Sequence, residues 1–334
     1  MAADPQTASA VADRGGWTGA RTTVFGLDVY SDVRLPFLVD ARARPTDRTL
    51  DVRIMDAAQA ATVDLPASGE LICDQREPDG SVGYRIETDP EAGYLISGPA
   101  YGKHVLSANG RHLICAPEGS IDAADGWQRL LIAQVLPFAA LLNGLEVFHA
   151  SAVILDGRAI AFLGASRAGK TSVAFELCRR SGAGFLADDV LAVERVDDQL
   201  FGHPGTPVAG LDRVETGQLA DCESSSQQET VAVSDHERLV RMPGAGAPAP
   251  LGALFFLDRR SDGPRRPRFE SAADAQLLLS ATFNFVLATP RRLHDLLDVC
   301  ALAARHPVER IVIGPSTDAA EVSAAVTRRL NSLT

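Results

Sequence analysis

Short runs that alternate apolar and polar residues fill the first third of the chain, from Thr22 to about Gly119. Glycine, proline and aspartate residues separate these runs at close intervals. Such alternation is typical of half-buried strands, because successive side chains of a strand point to opposite faces. Two of the runs are joined by Asn109 and Gly110, the strongest short signal for a hairpin turn. The pattern predicts an antiparallel, β-rich module over residues 17–122.

The spacing of apolar residues becomes helical after this module. Residues 127–142 are apolar on most sides, which predicts a buried helix. Strand-like and helical runs then follow one another to the C-terminus, where helices are predicted over 290–305 and 318–331 on either side of a strand. The stretch from Ala220 to Glu237 is rich in Ser, Gln, Asp and Glu, and we expect a flexible loop there. We assign residues 123–334 to one α/β domain.

The composition narrows the classes of partner. The 334 residues carry a net charge of -11, which argues against the broad basic face that non-specific nucleic-acid binding needs. No apolar run is long enough for a transmembrane helix, so we expect no membrane partner. Residues 1–16 are small, polar and aperiodic, without the features of a signal peptide, and predict a disordered leader. The five cysteines are dispersed without metal-ligand spacing, which fits reduced thiols and a cytoplasmic location.

One segment carries the main chemical signal. It consists of Gly164, Ala165, Ser166, Arg167, Ala168, Gly169, Lys170 and Thr171, and Ser172 follows it. The spacing matches the phosphate-binding pattern G-x-x-x-x-G-K-[ST]. An apolar run leads into the segment and a helical run leaves it, which predicts a strand, a glycine loop and a helix whose N-terminus faces an anion. The alternative is a glycine-rich turn that only connects the strand to the helix.

This loop predicts ATP and Mg²⁺ as ligands. Its backbone N–H groups would point at phosphate oxygens, and the Lys170 amine would reach the β- and γ-phosphates. The Thr171 hydroxyl would ligate the magnesium ion. Together these expectations describe a nucleotide-binding α/β protein of the P-loop type.

Two carboxylates follow the helical run, at Asp188 and Asp189, after three non-polar residues. On an extended strand these neighbours would point to opposite faces, so one could hold magnesium while the other accepts a proton from an attacking hydroxyl. A crossover through the helix would lay this strand near the strand of the loop. The alternative is an acidic turn, solvated at a strand edge.

His149 is a further candidate because of strand register. Asp156 and Gly157 suit a two-residue hairpin turn between the run that contains His149 and the run that enters the loop. Extending the ladder from this turn places His149 opposite Gly164, at the mouth of the loop. A bulge would spoil this register, and a lone histidine is more often structural.

The chain resembles the HPr kinase/phosphorylase family and its shorter kinase-like relatives. The resemblance rests on three segments, in this order and at close spacing: residues 149–153, 164–171 and 185–190. It implies the fold of HPr kinase and phosphoenolpyruvate carboxykinase, with a mixed twisted sheet, after the β-rich module. It also implies that His149, Lys170, Asp188 and Asp189 surround the transferred phosphoryl group. The resemblance favours Asp188 as the catalytic base, which leaves Asp189 for the metal.

The resemblance implies a kinase that phosphorylates serine on a peptide or protein. The β-rich module is similar to that of kinase-like proteins encoded in lasso peptide clusters, where the acceptor is a precursor peptide. Arg167 stands where the family has a small residue, and the segment linked to phosphorylase activity has no match. A kinase of free serine or a sugar and a non-catalytic nucleotide-binding regulator remain alternatives. A homo-oligomer is compatible with the sequence. Arg238, Arg241 and Arg259 are further candidates for a phosphate contact.

Overall fold

An eight-stranded sheet occupies the N-terminal part of the chain. The computed structural model describes residues 19–35, 37–38, 46–55, 59, 69–77, 79–118, 126–212, 230–233, 237–272, 274–282 and 290–333. The strands of the first sheet are β1 (Ala20–Val24), β2 (Leu27–Ser31), β3 (Thr49–Ile54), β4 (Glu70–Arg76), β5 (Val82–Asp89), β6 (Gly93–Gly98), β7 (Gly102–Leu106) and β8 (His112–Ala116). Their order across the sheet is β1-β2-β3-β8-β7-β6-β5-β4. The predicted leader, residues 1–16, lies outside the described residues.

The pairing in this sheet is mainly antiparallel, as predicted, with one exception. Strand β3 runs parallel to both of its neighbours, β2 and β8. Parallel neighbours need a long connection rather than a tight turn, and residues 32–48 provide one between β2 and β3. The predicted hairpin at Asn109 and Gly110 is confirmed, since these residues lie in the turn between β7 and β8 and Gly110 has a φ of 68°.

A buried helix over residues 127–142 is also confirmed. We call it α1, and it consists of Trp127–Leu130, a π-helical turn at Leu131–Val135, and Leu136–Leu142. The π turn lies next to Pro137, whose ring nitrogen cannot donate an i→i−4 hydrogen bond. Helix α1 packs on the first sheet, where the rings of Phe138 and Tyr94 meet edge to face with centroids 4.9 Å apart. The predicted domain boundary at residue 122 stays a prediction.

A second, mixed sheet forms the rest of the architecture. Its strands are β9 (Glu146–Phe148), β10 (Ser151–Leu155), β11 (Arg158–Gly164), β12 (Gly184–Ala187), β13 (Leu191–Val196), β14 (Gln199–Gly202), β18 (Ala249–Arg259), β19 (Arg268–Ser271) and β20 (Val308–Ile313). Their order is β12-β10-β11-β18-β14-β13-β9, and β20 pairs with β18 and β19. A small third sheet has the order β15-β17-β16, from β15 (Val208–Asp212), β16 (Thr230–Val233) and β17 (Glu237–Arg241). The protein is therefore α/β with mixed sheets.

Four further helices complete the described chain: α2 (Lys170–Ser181), α3 (Ala275–Ser280), α4 (Pro290–Ala303) and α5 (Ala319–Asn331). Helices α4 and α5 flank β20, which confirms the two helices predicted near the C-terminus. None of the helices in the described part of the chain is both long and apolar enough to cross a bilayer.

The flexible loop predicted from Ala220 to Glu237 is wrong in part. Residues 220–229 and 234–236 lie outside the described residues, but β16 lies within the stretch and β17 begins at its end. The β16 strand forms because it pairs with β17, a contact that composition alone cannot reveal. The third sheet forms one wall of the pocket described below.

Candidate active site

The hairpin that precedes the glycine loop forms as predicted. Asp156 and Gly157 have φ values of 50° and 74°, which suit a two-residue turn between β10 and β11. The ladder starts at Leu155 opposite Arg158 and ends at Ser151 opposite Phe162. It does not reach His149, so the predicted pairing of His149 with Gly164 is wrong. The chain leaves the ladder because β9 joins β13 instead of extending β10.

His149 nevertheless lies beside the loop. Its backbone N–H donates to the carbonyl of Ala281 at 2.8 Å, which fixes the position of the residue just after β9. Its imidazole Nε2 is 3.1 Å from the Lys170 Nζ, and its Nδ1 is 3.1 Å from an Asp189 carboxylate oxygen. A neutral ring that donates from Nδ1 to Asp189 and accepts at Nε2 from Lys170 satisfies both contacts. Side chains from three separate segments thus form one hydrogen-bonded chain.

The loop has the strand, loop and helix arrangement that the sequence predicts. Strand β11 runs through the middle of the second sheet, and α2 begins at Lys170 directly after the loop. Gly169 has a φ of 100° and precedes the helix, and the first turn of α2 contains no acidic residue. The free N–H groups and the dipole of such a helix start attract anions. Arg167 has a φ of 63°, which explains why a glycine would suit its position better.

The Lys170 side chain is buried and hydrogen-bonded within the loop. The residue is only 7% exposed, and its amine donates to the carbonyls of Gly164 and Ala165, each at 3.1 Å. Desolvation lowers the pKa of this amine, although the charges of Asp189 and Asp188 act in the opposite direction. An amine held by two carbonyls and an imidazole can exchange these partners for phosphate oxygens without leaving the loop.

Gly164 should tolerate no side chain. It has a φ of 133°, and a Cβ atom there would lie 2.6 Å from the carbonyl oxygen of Leu257. We expect Gly164→Ala to lower the free energy of unfolding by about 1–3 kcal/mol in a thermal or denaturant titration. Gly182→Ala is the control, because Gly182 has a φ of 67° but open space around it. Equal losses in the two variants would show that the strand relaxes around the clash.

The two neighbouring carboxylates make different contacts. One oxygen of Asp188 accepts from the hydroxyls of Thr171 and Ser151, each at 2.7 Å, and the other accepts from the Gly210 N–H at 2.9 Å. Asp189 instead contacts His149, and its side chain is 54% exposed. The two carboxylates thus lie in different environments, and separate roles for them stay a prediction. Their contacts do not follow the predicted assignment, because Asp188 and not Asp189 adjoins Thr171.

The predicted reason for this separation is also wrong. Asp188 and Asp189 lie after β12 rather than on it, and Asp189 has a φ of 62°. In a residue with a left-handed backbone conformation, the direction of the side chain does not follow the alternation of a strand. Strand β12 lies near the loop's strand β11, as predicted, with only β10 between them. The carboxylates reach the loop because β12 is one strand away.

The pKa values of the two carboxyls shift in opposite directions. Burial raises the pKa of Asp188, although hydrogen bonds from Gly210, Ser151 and Thr171 act in the opposite direction. Desolvation also acts to raise the pKa of Asp189, but the hydrogen bond from His149 and the charges of Lys170 and Arg129 outweigh it. The net effect is a lowered pKa for Asp189. Asp189 is therefore held as a carboxylate at the open side of the site.

These groups line a pocket of about 420 Å³, which we call the phosphate pocket. Three cationic side chains face it, from Arg129 of α1, Arg167 and Lys170. Gly210 of β15 and Leu239 of β17 contribute to the opposite wall.

The other predicted loop residues divide between two pockets. The phosphate pocket is also lined by Ser166, Gly169, Thr171 and Ser172, whereas a second pocket described below is lined by Gly164 and Ala165. Ala168 lines neither pocket and is buried.

Sequence reasoning missed Arg129. This residue is the one charged side chain within the apolar span 127–142, and that isolation could have drawn attention to it. Arg129 is partly buried on α1, and its positive charge helps to lower the pKa of Asp189. A cation at this position complements the anionic groups that a helix N-terminus attracts.

The three arginines left open by the sequence have different positions. Arg238 donates to the Thr230 hydroxyl at 2.8 Å within the third sheet. Arg259 donates to the carbonyls of Gly314 and Thr317, each at 3.0 Å. Arg241 lies at the end of β17, opposite Val208 of β15. A Cβ on Gly169 would lie 3.5 Å from the Arg259 guanidinium, so Arg259 adjoins the loop.

The oxygen ligands at the loop fit a magnesium ion that is shared with phosphate. The Thr171 hydroxyl and the Asp188 carboxylate are adjacent hard oxygen donors. No cluster of three or more His, Cys, Asp or Glu side chains suited to a metal occurs among the described residues. Magnesium needs no such cage, because it keeps several waters and binds through one or two carboxylates together with substrate phosphates.

No family model and no curated protein matches the sequence. Among solved structures, the Hpr(Ser) kinase/phosphatase from Coxiella burnetii overlaps 56% of this chain and 92% of that chain, with 12% identity and a TM-score of 0.30. At that TM-score the overlap carries no weight for fold or activity.

Proposed function

We propose that the protein transfers the γ-phosphoryl group of Mg-ATP to a hydroxyl, most suitably that of a serine in a peptide or protein. One observation carries this proposal. The contacts of the loop lysine continue through His149 to Asp189, next to a helix start and a separate Thr171–Asp188 pair. A site of this composition has a cradle for phosphate, oxygen ligands for a metal, and a carboxylate able to take a proton.

The loop and its cations would hold the phosphates. The N-terminus of α2 supplies N–H donors, and Lys170 exchanges its loop carbonyls for the β- and γ-phosphate oxygens. Arg129 and Arg167 face the same pocket and neutralise further negative charge. Positioning and charge neutralisation supply most of the catalysis in phosphoryl transfer.

The contacts favour Asp188 for the metal side and Asp189 for the proton, which reverses the assignment drawn from the sequence. Thr171 and Asp188 would hold the magnesium ion, which neutralises charge on the phosphates when it is bound. Both oxygens of Asp188 already accept hydrogen bonds from the protein. Asp189 is more exposed, and His149 orients it through Nδ1. Asp189 would accept the proton of the acceptor hydroxyl as the new P–O bond forms and the bond to ADP breaks.

The experiment that tests this function is an ADP-release assay with a panel of acceptors. The panel contains serine peptides, a lasso-type precursor peptide, free serine and simple sugars, each with Mg-ATP. We expect ADP release to depend on a serine peptide or protein, and mass spectrometry to find one added phosphoryl group on it. ADP release that depends on free serine or a sugar would identify a small-molecule kinase. ATP binding without transfer to any acceptor would favour a regulatory protein.

His149 should contribute to transfer more than to folding. We expect His149→Ala to lower turnover by about a hundredfold, because Asp189 loses its orienting partner and Lys170 loses a contact beside the γ-phosphate. The melting temperature should stay near that of the wild type, since the imidazole is partly exposed and the backbone bond to Ala281 remains. Single-turnover transfer and thermal unfolding measure the two effects. Full activity in the variant would remove His149 from the mechanism.

A further inference from the structure

A second pocket, of about 580 Å³, lies on the other side of the glycine loop. We call it the lateral pocket. The side chains that matter for its chemistry are His149, Ser166, Asp258, Leu277, Ser280 and Arg310. It lies between the loop, the end of β18 and helix α3, whereas α1 and the third sheet border only the phosphate pocket. Its volume is within the range of about 300–1,000 Å³ that is usual for sites of small ligands.

The position of the lateral pocket along the loop indicates which end of a nucleotide it would meet. It shares His149 and Ser166 with the phosphate pocket, so the two pockets meet at these residues. The Lys170 amine, which reaches the β- and γ-phosphates in such loops, contacts the carbonyls of Gly164 and Ala165. Both of these residues line the lateral pocket. The lateral pocket therefore opens at the γ-phosphate end of the loop.

The lining of the lateral pocket suits a ligand without strong negative charge. The phosphate pocket has three cationic side chains and two carboxylates, whereas the lateral pocket has one cation, Arg310, and one anion, Asp258. His149 lines both pockets. Asp258 lies 2.6 Å from Arg260 and 3.9 Å from Arg310, so it offsets the positive charge at this end. Leu277 of α3, with Phe256 and Ala281, adds apolar surface. Phosphorylated sugars and further nucleotide phosphates would gain little here, because paired charges offer them no net attraction.

We infer that the lateral pocket binds the phosphoryl acceptor, as a peptide segment that places an apolar side chain against Leu277 and its hydroxyl at His149. This inference rests on the proposed function. The hydroxyl oxygen forms a bond to the γ-phosphorus, the bond from that phosphorus to the ADP oxygen breaks, and the hydroxyl proton passes to Asp189. Asp189 contacts His149, one of the two residues where the pockets meet. A peptide fits this site better than free serine, which would leave the Leu277 surface uncovered.

The test uses two substitutions in α3 and one matched control. Leu277→Arg places a cation in the lateral pocket, and Ser280→Trp fills it from an exposed position at the helix end. Gln276→Arg adds the same cation one residue away, at an exposed position that does not line the pocket. The probes are Mg-ATP, inorganic tripolyphosphate, and a peptide library with one fixed serine and randomised neighbours. Circular dichroism first confirms that each variant is folded. If Leu277→Arg does not fold, Ser280→Trp alone tests the lateral pocket.

We expect the wild type to select an apolar residue beside the phosphorylated serine. Leu277→Arg should shift that selection towards acidic residues and lower kcat/KM for the wild-type library product at least tenfold. Ser280→Trp should lower it similarly without the shift towards acidic residues. Affinity for Mg-ATP in calorimetry should stay within about twofold in every variant, and Gln276→Arg should match the wild type throughout.

Two outcomes would overturn the inference while the proposed function stands. In the first, the variants bind Mg-ATP weakly but tripolyphosphate normally, and the lateral pocket then holds the nucleoside. In the second, the library is phosphorylated with unchanged selection and kcat/KM in both variants. Failure of the proposed function looks different, because the wild type itself would then bind no Mg-ATP or phosphorylate no peptide.

Discussion

Lys170→Ala should weaken binding of Mg-ATP and reduce phosphoryl transfer by about a thousandfold. The reason is the loss of the positive charge that faces the β- and γ-phosphates, at a site where the side chain is only 7% exposed and water screens little. The variant also removes the contact to His149 Nε2, so the imidazole loses one of its two partners. Both losses affect transfer of the γ-phosphoryl group. The other lysine of the chain, Lys103, lies in β7 of the first sheet and does not replace the charge.

The chain offers a clean control for this variant, because Lys103 and Lys170 are its two lysines. Lys103 lies in β7 of the first sheet, so Lys103→Ala should leave nucleotide binding and transfer unchanged. Nucleotide affinity by calorimetry and transfer by single-turnover kinetics measure the effect, with the melting temperature as a check on folding. Equal activity of Lys170→Ala and Lys103→Ala would show that the loop does not hold phosphate.

The amide variants of Asp188 and Asp189 should fail in different ways. Asp188→Asn removes a charge beside Thr171, so its transfer defect should shrink as magnesium rises or when manganese replaces it. Asp189→Asn cannot accept the hydroxyl proton, so Mg-ATP should bind normally while transfer falls by at least a hundredfold at every metal concentration. Transfer and nucleotide affinity across a metal titration distinguish the two defects.

Asp188→Asn should also lower stability. The Asp188 carboxylate accepts three hydrogen bonds, and an amide group must turn its NH₂ towards at least one of these donors. We expect a loss of about 1–3 kcal/mol in the free energy of unfolding. Asp189→Asn should cost less, because its side chain is more than half exposed. If Asp189→Asn recovers with metal and Asp188→Asn does not, the original assignment from the sequence is right.

Features that depend on local sequence could be predicted. The turn at Asp156 and Gly157 follows from residues that tolerate positive φ, and the loop follows from glycine spacing between an apolar run and a helix. The helix over 127–142 follows from its apolar periodicity. Each of these signals lies within a short window, and the local backbone preferences agree with the tertiary environment.

Features that depend on distant pairing could not be predicted. The position of His149 depends on β9 pairing with β13 and on a backbone bond to Ala281, which lies far along the chain. The positive φ of Asp189 invalidated the strand argument for the two carboxylates. Aspartate tolerates this conformation, but the sequence does not show which aspartate adopts it. Arg129 reaches the phosphate pocket only because α1 packs beside it. Propensity and pattern carry no information on such contacts.

The most direct test is a calorimetric titration of ATP into the wild-type protein, with and without magnesium. The loop, Lys170 and the Thr171–Asp188 pair predict saturable binding that is tighter with magnesium, together with a higher melting temperature. Tight binding should be lost in Lys170→Ala and kept in Lys103→Ala. The contrary result is that ATP, GTP and ADP all give neither heat nor thermal stabilisation in the presence of magnesium. The loop is then only a connection between strand and helix, and the proposed kinase activity is wrong.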